Sequence, residues 1–111
     1  MALKITILSS DPLLRNTPIQ ATRYYVHLAG IHYIKDENTG SLPVRYYAIT
    51  DNNMPSGPQL TGSGLPEIVP ILRPMEILAS QSEPAVLICY RLVAEHLLAA
   101  CAPGATVENL F

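Results

Sequence analysis

The 111-residue chain has no tryptophan, one phenylalanine and two cysteines. Charge is scarce as well. Asp, Glu, Lys and Arg make up 14% of the residues, against about 25% in an average soluble domain. Seven basic residues stand against nine acidic ones, a net charge of −2 with neutral histidines. That balance excludes binding of long nucleic acid by bulk charge. No charge-free run reaches the roughly 18 residues that a spanning helix needs, so membrane partners are not expected. One lysine and the short apolar stretch Leu3 to Leu8 do not make a signal peptide.

Both cysteines, Cys89 and Cys101, fall in one expected helix, twelve positions apart. At 1.5 Å per residue they lie about 18 Å apart along its axis, beyond the roughly 7 Å between Cα atoms that a disulfide permits. They read as small buried apolar residues. A reducing, cytoplasmic location follows. Cysteine and histidine spacings match no zinc site, so no metal and no cofactor is expected.

What is present is apolar. Hydrophobic residues make up 49% of the chain, enough to order most of it. The length suits a single α+β domain over residues 1–111. Sixteen charged residues are few to coat a small domain with its high surface-to-volume ratio. Self-association into a homo-oligomer would cover part of the apolar surface.

Residues 3–9 alternate apolar and polar and read as a first strand. Residues 12–18 read as loop. Residues 19–35 and 42–51 are rich in β formers and flank Asp36-Glu37-Asn38-Thr39-Gly40-Ser41, a hairpin loop. A type I turn over 37–40 with Gly40 as the bulge residue would pair strand positions whose numbers total 78. One face then collects Ile34, Val44, His32, Tyr46, Leu28, Thr50, Val26 and Tyr24, and is the better core. The other collects Tyr33, Arg45, Ile31, Tyr47, His27, Asp51, Tyr25 and Arg23. Residues 52–66, with three prolines and three glycines, read as one long loop. Pro70 and Pro74 argue against a helix over 67–79, which reads as a turn and then an edge strand near 75–79. Residues 83–102 form the clearest helix, capped by Ser82 and closed by Gly104. It is apolar on nearly every side, so more than one side should be covered, one of them by a second chain. Residues 105–111 read as a short strand or docked tail. The expected fold is thus a small antiparallel sheet of four to five strands with one long C-terminal helix.

The chemistry concentrates in the hairpin. Five of six tyrosines and two of five arginines lie between 23 and 47, and Arg-Tyr-Tyr occurs at 23–25 and again at 45–47. Tyrosine faces stack on planar groups, and arginine offers forked donors to phosphate or carboxylate. Tyrosine also favours half-buried sheet faces for packing alone. Arg23, Tyr25, His27, Arg45 and Tyr47 are the candidate ligand-binding residues. Ser63, in Thr61-Gly62-Ser63-Gly64, joins them as part of a lid or anion cradle. His27 and His32 sit an odd number apart on one expected strand, so they should face opposite sides. Arg91 and Glu95 are an i, i+4 pair and read as a partly buried ion pair.

No catalytic motif is complete. The favoured reading is a non-enzymatic homo-oligomeric protein that binds or sequesters a small anionic, nucleotide-like ligand near a subunit interface. An oligomeric isomerase, lyase or cyclase with His27 or Tyr25 as acid–base group is the alternative. A protein–protein adaptor working through the helix or an edge strand is a third.

Overall fold

A computed structural model describes residues 2–12, 22–61, 64–79 and 84–110, with the side chains of Met75, Glu76 and Leu78 left out. The architecture is α+β. Among the described residues seven strands join in antiparallel pairings, and one long helix packs on them. The strands are β1 (Leu3–Thr6), β2 (Arg23–Leu28), β3 (His32–Ile34), β4 (Thr39–Ile49), β5 (Pro55–Leu60), β6 (Ile68–Leu72) and β7 (Thr106–Asn109). The helices are α1 (Pro74–Ala79) and α2 (Ala85–Ala100). No helix among the described residues is long and apolar enough to cross a membrane.

The 11-residue β4 organises the sheet. Its C-terminal half pairs with β2 and β5, and its N-terminal half with β3 and β6. The sheet continues from β2 through β1 to β7. Pairing changes hands at Pro43 and Val44. There the Ala29 amide donates to the Pro43 carbonyl at 2.8 Å, and the Val44 amide to the Glu67 carbonyl at 2.8 Å.

Period-2 alternation decides the two faces. Leu3, Ile5, Tyr24, Val26, Leu28, Val44 and Tyr46 turn inward and are buried. On α2, Cys89, Val93 and Leu97 recur every four residues with Ile88 and Tyr90 beside them, and this stripe is buried. The Tyr24 and Tyr46 rings pack edge to face at 6.1 Å. The Tyr46 hydroxyl donates to the Pro66 carbonyl. The Leu28 amide donates to the Tyr90 hydroxyl at 3.1 Å, tying α2 to the end of β2. Buried Asp11 accepts from the Ala102 amide at 2.9 Å and holds the turn after β1 against the chain leaving α2.

Several expectations are corrected. The paired numbers of β2 and β4 total 72, as in Tyr25 with Tyr47, and those of β3 and β4 total 73, as in Tyr33 with Gly40. The turn falls at 35–38, where Asn38 takes the left-handed conformation at φ 47° instead of Gly40. Gly40 sits within β4, where a Cβ would lie 2.9 Å from the His32 carbonyl oxygen. A shift of six between totals of 78 and 72 is even, so the β2 and β4 faces survive it. The interruption at 29–31 breaks the strand expected over 19–35. His32 and Ile34 therefore leave the core and are exposed.

The expected loop 52–66 contains β5, an exposed edge strand that tolerates its two prolines. The expected turn at 67–72 is β6, and the expected strand at 75–79 is α1, because Pro74 suits the first turn of a helix. The long helix runs 85–100, so Cys101 lies just past it. Its end is an extended Cys101, and Gly104, at φ 104°, turns the chain toward β7. Ser82 lies outside the described residues. Arg91 and Glu95 are exposed, unlike the partly buried pair expected. Leu97 belongs to the core, while its neighbour Leu98 is 42% exposed on the other side of α2.

Candidate functional site

The outward face of β1, β2 and β4 carries the polar and aromatic residues. Register places Lys4 opposite Tyr25, Tyr25 opposite Tyr47, and His27 opposite Arg45. Directly opposed residues point the same way. Lys4, Tyr25, His27, Arg45 and Tyr47 therefore share one surface. Tyr25 and Tyr47 pack edge to face, with ring centres 6.3 Å apart and planes at 71°. Both remain half-buried, while His27 and Arg45 are exposed.

A bulge in the neighbouring strand shapes the far wall. Tyr46 pairs with Leu60 and Ala48 with Ser56, so Tyr47 faces three β5 residues. Gly57 takes φ 73° there, and a Cβ on it would meet nothing within 4 Å. The extra residues push β5 outward beside Tyr47, as bulges do when they re-aim a strand. The result is an open pocket of about 340 Å³ lined by Tyr25, His27, Tyr47, Pro55 and Gly57.

Arg45 lines a second cavity, of about 420 Å³. His32, Gln59 and Glu67 line it with Pro43 and Ile68 among others. The sequence reading assigned His32 to the core and did not single out Gln59 or Glu67. The break at 29–31 brings His32 to this side, and only the β4–β6 pairing brings Glu67. The first pocket is aromatic and lies beside the start of β5, and the second is polar and lies between Arg45, Gln59 of β5 and the start of β6.

Arg23 stands at the end of the same face, where its guanidinium lies 3.9 Å from the Asp51 carboxylate. Both partners are exposed, so this contact is weak. Lys4 lies 4.0 Å from Glu108. Of the candidates from sequence, Tyr25, His27 and Tyr47 line one pocket, Arg45 lies opposite His27 and lines the other cavity, and Arg23 lines neither. Ser63 is outside the described residues. The cysteines do not contribute. Burial raises the Cys89 thiol pKa, and burial followed by the Asp11 carboxylate raises that of Cys101, so neither favours a reactive thiolate. Among the described residues no cluster of His, Cys, Asp and Glu could hold a metal ion.

What this surface can do is stack and pair. Tyrosine edges and faces are suited to a planar group, and an Arg and a His side chain are able to donate to an anion. No protein-family model, curated protein or solved structure matches the chain.

Proposed function

We propose that the chain is a small binding protein for an anionic, planar, nucleotide-like ligand, which it holds without catalysis. The ring lies against Tyr25 and Tyr47 in the open pocket bordered by Pro55 and Gly57, and Arg45 with His27 meets the charge. One observation carries this reading: the cross-strand tyrosine pair adjoins the His27–Arg45 pair on an outward sheet face beside a bulged strand. A face that served only to be wetted would need neither two half-buried rings nor a pocket beside them. The aromatic and cationic groups are the two that nucleotide recognition requires.

Native mass spectrometry of protein purified from cells, followed by calorimetric titration with adenosine and guanosine monophosphate, tests the proposal. A retained or titratable planar anion is expected, lost on Arg45→Ala and on Tyr47→Ala in a folded protein. Binding that neither variant changes refutes the site. Conversion of the bound compound during incubation refutes the non-catalytic reading.

A further inference from the structure

The sub-sheet β3–β4–β6 has an outward face of its own. Register aligns Ile34 with Thr39 and Thr39 with Leu72 in one row. His32, Ser41 and Pro70 form the next row, and Pro43 with Ile68 the third. Leu72 is 75% exposed, Ile68 63% and Ile34 54%. The opposite face, with Leu42, Val69 and Ile71, is buried in the core. Thus β6, Ile-Val-Pro-Ile-Leu, is apolar on both sides, the pattern of a strand covered on both faces. One side is covered within the chain.

We propose that this face is the interface of a two-fold homodimer, in which β6 of each copy lies over β3 of the other. Three observations select a second copy as the occupant. The three rows contain no Asp, Glu, Lys or Arg, so two copies stack without opposing like charges. The face carries both a knob and a hole, as an isologous contact requires. Leu72 projects on the β6 side, and a cavity of about 470 Å³ bordered by Ile31, Tyr33, Ile34 and Thr39 lies on the β3 side. A two-fold axis along β4 brings each Leu72 to the other copy's cavity. Finally, 14% of the residues are charged, against about 25% in an average soluble domain, which leaves apolar surface for self-association to cover. The proposal gives the expected self-association a surface and stands apart from the ligand reading. His32, Pro43 and Ile68 belong both to this face and to the cavity beside Arg45, so the second copy also walls that cavity.

Sedimentation velocity from about 1 to 100 micromolar tests it, a range spanning ordinary dimer affinities. The parent chain should sediment as a dimer of 12.1 kDa subunits. Leu72→Lys and Ile34→Lys, each at an exposed position, should keep the parent circular dichroism. Each should raise the dimer dissociation constant at least about a hundredfold by burying an unpaired charge. If a lysine unfolds the chain, cross-linking decides. Ile34→Cys and Leu72→Cys proteins, each with Cys101→Ser, are mixed under mild oxidant, and a covalent heterodimer is expected. A parent chain that stays monomeric overturns self-association. Dimers that survive both lysines, or absence of the heterodimer, overturn this face. A monomer that floats with phosphatidylcholine vesicles assigns the face to lipid and also overturns the proposal.

Discussion

Tyr46 offers the sharpest test of which sheet face is the core. Its ring is 1% exposed, packs edge to face on Tyr24, and its hydroxyl donates to the Pro66 carbonyl. Tyr46→Phe keeps the ring and removes the donor. The part-buried Pro66 carbonyl then loses its partner, which costs about 1–3 kcal/mol. Tyr46→Ala removes the ring too. Truncating a buried aromatic costs about 3–5 kcal/mol, to which the edge-to-face pair contributes about 0.5–1.5. A chain of this size has a total stability of about 5–15 kcal/mol, so the alanine variant should be near unfolding. Tyr47, the next residue, lies half-buried on the other face, and Tyr47→Phe should cost less than about 0.5 kcal/mol, as surface changes do. Guanidinium titrations of the three variants measure this, with the slope of the transition checked for constancy. The reasoning is refuted if Tyr47→Phe costs more than Tyr46→Phe, because the two faces would then be exchanged.

Other outcomes follow from the same geometry. Arg45→Ala should leave the thermal melt within a few degrees of the parent, since the side chain is exposed. It should weaken an anionic ligand by about 1.5–3 kcal/mol, read by calorimetry, if it makes a charged hydrogen bond. Tyr90→Phe removes the acceptor of the Leu28 amide and should cost about 1–3 kcal/mol, seen as a melting temperature lower by about 4 °C or more. Gly104→Ala forces a Cβ onto a backbone at φ 104° and within 2.7 Å of Leu8. Leu8 can yield, but the conformation should still cost about 1–3 kcal/mol by chemical denaturation. Stability should also fall at alkaline pH. Burial, then the Glu67 carboxylate, then Cys101 hold the Tyr46 phenol well above its ordinary value of 10.0. The unfolded chain therefore loses that proton first, and the stability present below about pH 10 is lost as pH rises past it. Denaturant midpoints between pH 8 and 11 should show the decline, and Tyr46→Phe should make it shallower.

Alternation alone placed Tyr24, Val26, Val44 and Tyr46 on one face and Tyr25, His27, Arg45 and Tyr47 on the other. The reason is the strict period of two along a strand, which an even error in register does not disturb. The long helix was legible from length: the 16 residues Ala85–Ala100 hold neither glycine nor proline and run longer than a strand usually does. The first strand, near Leu3, was legible from its alternation, whereas 105–111 read equally as a strand or a docked tail until β7 paired with β1. Nothing local announced that the chain breaks at 29–31, that Asn38 turns in place of Gly40, or that 55–60 becomes an edge strand. Those outcomes depend on what lies alongside. β5 exists because β4 offers it an edge, and β6 exists because the N-terminal half of β4 offers another. The same pairings decided the site's second lobe. His32 and Glu67 are 35 positions apart and meet beside Arg45 only because β3 and β6 both join β4. Within an unbroken strand, the residues themselves settle which of them share a side, because alternation depends on the strand's own backbone. Only the assembled sheet decides which strands stand side by side, because that depends on hydrogen bonds between segments far apart in the chain.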